Sequence, residues 1–374
     1  MHVICITGGP CGGKTTALPR LREHLEAKGF TVFTVPEAAT ALILAGVEPK
    51  TRFTMEAFQK SVMALQIALE DTVKQAASSF GDKAVVLCDR GLADDLAYIP
   101  REAYDELLAA NALTLAAVYR RYDAVLHFVT AADGAEDSYL WNDPAFPTAG
   151  NNAARSESPE QARLIDRRTQ LSWIGHPHFR VFGNQNGFER KISAALAELD
   201  ALLAAQPKEI ERKFVCDMPD LAALRDNTVC SDGDTIEQIM LTRREKPTER
   251  RIRRRGSEKN GYTCYYTEKI KIREGERYES ESVISEETYR ALLAEADPSL
   301  PAVHKTRYCF LWQDRLFELD VYPFDTTRAI LEAELHALEE IVDLPPFLHN
   351  VRDVTGVDAY KNLSLAARGA FPAL

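Results

Sequence analysis

Glu209-Ile210-Glu211-Arg212-Lys213 carries a charge at every second position on one register. In an extended strand alternate side chains share a face, so Glu209, Glu211 and Lys213 point one way and Ile210 and Arg212 the other. Two carboxylates and an amine on one strand face are a poor way to build a dry core, because buried charge is costly unless paired. The spacing returns at Arg251/Arg253/Arg255, Lys269/Lys271, Glu279/Glu281, Lys305/Arg307, Glu318/Asp320 and Glu332/Glu334. Any single pair reads more readily as a charged ladder on a surface sheet. The whole series, confined to one half of the chain, points instead to strands that close on themselves with their charges inside. Repeated strands with few helices between them predict an antiparallel barrel over residues 206–374. Residues 243–255 hold eight Lys/Arg in thirteen positions. The alternation at Arg251, Arg253 and Arg255 assigns these to a strand face. A polyanion held by cations, with divalent ions bridging it to carboxylates, accounts for both signs of charge.

The other half has a different pattern. A short apolar strand at residues 3–6 runs into Gly8-Gly9-Pro10-Cys11-Gly12-Gly13-Lys14-Thr15 and then a helical repeat at Leu18, Leu21 and Leu25. This is G-x-x-x-x-G-K-[ST] in its required strand-to-helix setting. Backbone amides of Gly8, Gly9, Gly12 and Gly13 can wrap phosphate oxygens at a helix N-terminus. Lys14 would reach the β- and γ-phosphates, and Thr15, with Thr16 beside it, would face magnesium. A second strand, residues 31–35, ends at Pro36-Glu37, where Glu37 could act as base, orient an acceptor, or simply be a solvated loop residue. The apolar run at residues 84–88 ends in Asp89, placed either to join a magnesium shell or to cap the next helix. A helical stripe at Met55, Phe58, Val62, Leu65 and Leu69 reads as core-facing. His127 falls in an apolar strand and reads as packed. Arg163 and Arg167 lie four apart, on one helix face. They suit a lid that brings arginines onto phosphates, or a solvated basic face. Strands alternating with helices behind a P-loop predict an α/β doubly wound parallel sheet over residues 1–205.

The 374 residues carry a formal net charge of −11, which argues against general nucleic-acid binding. Seven scattered cysteines with no CxxC pair fit a reducing cytosol and no zinc or disulfide framework. No apolar run is long enough to span a membrane, and the strand-like start shows no leader, so a cytoplasmic location is expected.

Residues 8–15, Pro36-Glu37-Ala38, Asp89-Arg90-Gly91 and the Arg155–Arg167 region resemble the kinase-like P-loop domain of the AAA_28 and nicotinamide-riboside-kinase group. That resemblance implies ATP or GTP binding with NTPase or kinase activity, with Lys14, Glu37, Asp89, Arg163 and Arg167 as catalytic candidates. The second half resembles the CYTH family of triphosphate tunnel metalloenzymes. Glu209-Ile210-Glu211-Arg212-Lys213 stands as that family's opening motif, and Val354-Thr355-Gly356 with Tyr360-Lys361-Asn362 is similar to its ending. The resemblance implies an eight-stranded tunnel that hydrolyses a triphosphate-bearing small molecule. Lys213, Arg251, Arg253, Arg255, Lys269, Lys271, Lys305 and Arg307 would bind phosphate. Glu209, Glu211, Glu279, Glu281, Glu318, Asp320, Glu332 and Glu334 would hold Mg²⁺ or Mn²⁺. The order of the two domains is similar to the TRPL translocation defect protein family, which implies guanine nucleotide and phosphoinositide headgroups as partners. The alternative expectation is a nucleotide-regulated binding protein whose tunnel captures phosphoinositide or polyphosphate without turnover.

Overall fold

The computed structural model describes the chain apart from residues 50, 140–156, 205–207, 243–247, 274–275, 336, 338 and 374. The side chains of residues 208, 209, 273, 276 and 277 are likewise outside the description, so Glu209 is placed by its backbone alone and Arg155 is not placed. The chain separates into two compact units, Met1–Asp200 and Ala201–Leu374.

In the first unit β1 (His2–Gly8), β2 (Thr31–Val35), β3 (Ala84–Asp89), β4 (Ala124–Phe128) and β5 (Phe179–Phe182) form one parallel sheet in the order β2-β3-β1-β4-β5. Its three inner strands are apolar because helices cover both faces. The segment Ala124–Phe128 is buried at every residue. The helices are α1 (Lys14–Ala27), α2 (Ala38–Leu44), α3 (Met55–Ala77), α4 (Arg101–Ala110), α5 (Leu115–Tyr119), α6 (Pro159–Trp173) and α7 (Phe188–Leu202). The apolar stripe of α3 packs as its spacing predicts: Phe58 and Val62 are buried with Ala38, and Met55, Leu65 and Leu69 lie against them. At the start of α6 the Ser158 side chain accepts from Gln161 while the Gln161 side chain reaches back to the Ser158 amide. This reciprocal cap sets where the helix begins. From β1 the chain runs toward β2, and from β4 it runs toward β5. The carboxyl ends of these adjacent strands therefore diverge and leave a crevice, the place where open α/β sheets bind ligands.

In the second unit β6 (Lys208–Asp217) leads to α8 (Leu221–Asn227), β7 (Val229–Cys230), β8 (Asp234–Met240), β9 (Glu249–Ser257), β10 (Gly261–Arg273) and β11 (Glu276–Ile284). Then come α9 (Glu286–Leu292), β12 (Val303–Trp312), β13 (Arg315–Val321), β14 (Arg328–Glu334), β15 (Arg352–Asp353) and α10 (Asn362–Arg368). The antiparallel order β11-β10-β9-β8-β12-β13-β14-β6 returns on itself, because β11 also pairs with β6 through Glu276↔Ile210, Arg277↔Glu209 and Tyr278↔Lys208. Among the described residues these strands close an eight-stranded barrel, with β7 and β15 attached beside β12 and β6. Gln313 and Asp314 join β12 to β13 with both residues at positive φ, 48° and 62°. That is the turn geometry whose twist matches a tight hairpin.

The ladder register decides which side chains face inward. Arg307 sits opposite Asp320, Glu318 opposite Glu332, Glu332 opposite Lys213, and Glu334 opposite Glu211. The alternate residues face out. Phe214, Cys216, Phe310, Phe317, Leu319, Leu331 and Ala333 form an apolar cluster with Leu224 of α8 and Leu348. The polar inner face also ends in apolar material: Val215, Val303, Tyr322 and Ile330 meet Val354, Tyr360, Leu365 and Phe371 of the C-terminal segment. One end of the bore is thus stoppered by the chain's own C-terminus. The register predicts that Leu331→Glu puts an unpaired charge into the outer cluster, lowering stability by about 3–5 kcal/mol. A thermal melt against wild type checks this, and an unchanged melting temperature would contradict the outward placement of Leu331.

Candidate functional site

The phosphate loop spans the five residues between the end of β1 at Gly8 and the start of α1 at Lys14. Gly8 has φ 144°, Cys11 55° and Gly13 91°, so the chain coils through conformations that favour glycine. Gly8 and Gly12 also press against β4: a Cβ on either would stand 2.1 or 2.3 Å from the Phe128 carbonyl oxygen. Lys14 is buried and folds back over the loop, donating from Nζ to the carbonyls of Gly8 at 2.9 Å and Gly9 at 3.1 Å. Thr15 and Thr16 are exposed on the first turn of α1.

Asp166 of α6, which the sequence reading did not single out, anchors this loop. Its Oδ1 accepts from the Gly9 amide at 2.7 Å and the Thr130 amide at 3.0 Å, and lies 3.1 Å from His127 Nε2. Gln170 donates to Oδ2 at 2.9 Å. Burial pushes the Asp166 carboxyl up, but His127 and the two amides overcome this and hold it below the usual carboxylate range. The one sequence signal was His127 itself, since an imidazole in a fully buried strand needs a partner. The indole of Trp173, also on α6, donates to Asp94 Oδ1 at 2.5 Å. The helix whose arginines suit a lid or a solvated face is therefore fastened at two points, to the phosphate loop through Asp166 and to Asp94 through Trp173. Of its arginines, Arg163 donates from Nε to the Ala132 carbonyl at 2.7 Å and Arg167 is exposed.

Glu37, at the end of β2, accepts from Arg90 Nε at 2.6 Å and from the Thr40 hydroxyl at 2.5 Å. Burial works against its charge, yet Arg90, Thr40 and Lys14 together bring its pKa down to about 2. A carboxylate held this firmly ionised orients cations well and abstracts protons poorly. Arg90 follows Asp89 with φ 73° and also reaches the Gly8 carbonyl and Asp94 Oδ2, both at 3.3 Å. Asp94 accepts from the Thr7 hydroxyl at 2.7 Å as well. Asp89 Oδ1 is buried with no hydrogen-bond partner. Burial raises the Asp89 pKa, and Lys14 offsets this only in part. An orphaned carboxylate oxygen beside the phosphate loop fits a magnesium ion.

In the barrel the described inward-facing charges meet one another. Arg307 donates to Asp320 through Nε and Nη2, each at 2.7 Å, and through Nη2 to Glu332 at 2.7 Å. It also contacts Glu318, and Lys305 contacts Asp320. Lys213 Nζ lies 2.7 Å from Glu332. On the other wall Lys269 lies 2.6 Å and Arg251 3.5 Å from Glu279, and Arg253 lies 2.8 Å from Glu281. Arg255 pairs at 2.8 Å with Asp234. Asp234 also has a charged residue two positions away, Asp232, but β8 begins at Asp234, so the two do not share a strand face. Arg253 also lies over the Tyr265 ring, 4.9 Å from its centroid, and its Nε is buried without an acceptor. Lys271 and Glu334 are exposed, and Glu211 is half-buried opposite Glu334.

Burial and the neighbouring Arg307 bring Lys305 down to about 8, against the pull of Asp320. Glu332 goes the other way: Lys213, Lys305 and Arg307 outweigh its burial and hold it well below the carboxylate range. No group of three or more His, Cys, Asp or Glu among the described residues stands ready to hold a metal. Glu318, Asp320 and Glu332 do converge on a cation, but the cation is the Arg307 guanidinium. Three carboxylates are the kind of oxygen donors a divalent ion takes, but in this structure the guanidinium occupies their focus. No described helix is long and apolar enough to cross a membrane.

No curated protein matches the chain. Among solved structures, the hypothetical protein NE1496 is 27% identical, over 44% of this chain and 99% of that one, with a TM-score of 0.29. The inorganic triphosphatase NE1496 is 26% identical over 44% of this chain and 97% of that one, also at 0.29. PH1819 protein from Pyrococcus horikoshii OT3 is 20% identical over 34% and 79%, again at 0.29. A TM-score this low is too loose to transfer fold or activity. The family AAA_28, described as an AAA domain, matches residues 3–191, half of the chain. The chain belongs to the AAA_28 family.

Proposed function

We propose that this protein handles phosphate at two separate sites: a P-loop that binds ATP or GTP, and a barrel that binds and hydrolyses a triphosphate. The observation that carries the reading is the closed barrel whose inner face concentrates buried cations and carboxylates. In the first unit the amides of Gly9, Gly12 and Gly13 and the Lys14 ammonium would cradle the phosphates. Thr15 and Asp89 would hold magnesium. Glu37, kept ionised by Arg90, would orient rather than act as base, and Arg163 and Arg167 would face the transferring phosphate. A site of this kind serves an NTPase or a kinase.

In the second unit Lys213, Arg251, Arg253, Arg255, Lys269, Lys305 and Arg307 would neutralise the phosphate chain, with Lys271 at an exposed position. Glu318, Asp320 and Glu332 would hold Mg²⁺ or Mn²⁺, joined by Glu209, Glu211, Glu279, Glu281 and Glu334. A divalent ion there supplies Lewis acidity and lowers the pKa of attacking water. The stoppered end makes substrate entry and product release share the opposite opening. A second reading is capture of a polyphosphate or phosphoinositide headgroup without turnover. It draws on the carboxylates being already neutralised by cations, with no metal cluster preformed among the described residues.

Phosphate release from tripolyphosphate, ATP and GTP with Mg²⁺ or Mn²⁺ separates the two. Turnover of tripolyphosphate is expected, and tight binding with no release from any of the three would leave the second reading. Lys14→Ala should weaken nucleotide binding about ten- to a hundredfold, the loss of one or two charge-assisted hydrogen bonds. Tripolyphosphate hydrolysis should change less than about twofold, whereas equal loss of both activities would refute independent sites. For Glu37 the sign follows from a folded pKa of about 2 against an ordinary 4.5. Its ion pair stabilises the fold above pH 4.5, and that contribution fades as pH falls toward 2. In melts, the deficit of Glu37→Gln relative to wild type should shrink between about pH 5 and pH 3.

A further inference from the structure

If the barrel takes a polyphosphate, as proposed, its cations must first leave the carboxylates they now hold. At the centre of the bore Lys213, Lys305 and Arg307 face Glu318, Asp320 and Glu332, three positive charges against three negative. Each of the six is engaged within the set. Glu318 is the most exposed of them, with 19% of its side chain accessible, and Asp320 is wholly buried. A phosphate chain that claims Arg307, Lys305 and Lys213 strips three largely buried carboxylates of their partners. A divalent cation arriving alone at those carboxylates strips the three cations instead. Either event leaves buried charge uncompensated, which is far less favourable than the paired state.

We infer that the barrel is an ion exchanger: polyphosphate and divalent cation bind as a linked pair, with Arg307 passing from carboxylate to phosphate as the metal takes its place. Arg307 suits this role because its planar fork bonds carboxylate and phosphate oxygens in the same bidentate fashion. Lys213 makes the same exchange at Glu332, and Lys305 at Asp320. Linkage is reciprocal, so each partner must tighten the other by the same factor. The exchange also has a consequence that a preformed metal site would lack. Removing a phosphate-binding cation improves the binding of metal alone, and removing a metal-binding carboxylate improves the binding of phosphate alone.

The test uses the full chain carrying Lys14→Ala, so that the P-loop does not contribute. Mn²⁺ binding without phosphate is followed by electron paramagnetic resonance of the free ion. Tripolyphosphate binding in the presence of a chelator is followed by calorimetry. Because each measurement holds one partner only, complexation of Mn²⁺ by tripolyphosphate cannot produce the result. Arg307→Met should tighten Mn²⁺ about tenfold, and Glu332→Gln should tighten metal-free tripolyphosphate by a similar factor, within the usual range of coupling. Lys213→Met and Asp320→Asn repeat the two arms, and carry the test if a variant of the first pair fails to melt cooperatively. Unchanged or weaker binding of the single partner in both arms overturns the exchange, while tripolyphosphate binding to the parent barrel with Mn²⁺ keeps the polyphosphate site standing. No tripolyphosphate binding with or without Mn²⁺ overturns the site and the exchange together.

Discussion

Mutual neutralisation of buried charge is the constraint on which the second unit depends. A closed barrel with an apolar inner face would be stable without help, as a packed core. This one lines its bore with lysine, arginine, aspartate and glutamate and remains foldable because the described buried charges sit within reach of opposite ones. Arg307 shows the logic most fully: three carboxylates from two strands converge on one guanidinium. The ladder register makes this possible, since Glu318, Glu332 and Lys213 lie directly across from one another on β13, β14 and β6. A one-residue slip in any of these strands would turn its charges outward into the apolar cluster around Phe310 and Phe317. Burial of the ion pairs thus enforces register as well as composing the site.

In the first unit steric closeness shapes the phosphate loop, and ion pairs fasten it. The phosphate loop lies so near the end of β4 that Gly8 and Gly12 have no room for a side chain against the Phe128 carbonyl. Asp166 then fastens the loop through the Gly9 amide, and the same carboxylate oxygen takes Thr130 and lies against His127. Arg90 joins the ends of β2 and β3 to the loop through Glu37 and the Gly8 carbonyl. These contacts put an anion-binding turn, an ionised glutamate and an orphaned aspartate oxygen at the carboxyl ends of three neighbouring strands.

Much of this was readable from residue spacing. The P-loop residues 8–15 and the apolar strands at 84–88 and 124–128 specify a parallel sheet, because buried parallel strands need continuous apolar runs. The i, i+2 charges of the second half specify strands with one charged face. Asp166 was not legible: it lies between Arg163 and Arg167 on a helix, and nothing local marks it as the residue that turns inward. Asp234 stands two residues from Asp232, but that pair falls at the entry to β8 rather than along it, so the spacing did not announce a bore position paired with Arg255. For Arg163 and Arg167 the spacing gave a shared helix face, suited to a lid or to solvent, but said nothing of Asp166 and Trp173 tying that helix down.

By itself the sequence determined the local grammar: which segments are strands, which face of each is charged, and where a phosphate-binding turn must lie. Those properties follow from periodicity and backbone geometry within a few residues. The tertiary structure alone decided that β11 returns to β6 to close the barrel, that the C-terminal segment stoppers one end, and that Lys213, Lys305 and Arg307 meet Glu318, Asp320 and Glu332. Pairing of charges from distant segments depends on register and closure. Both are set by the summed packing of the whole sheet, and no single stretch of residues encodes them.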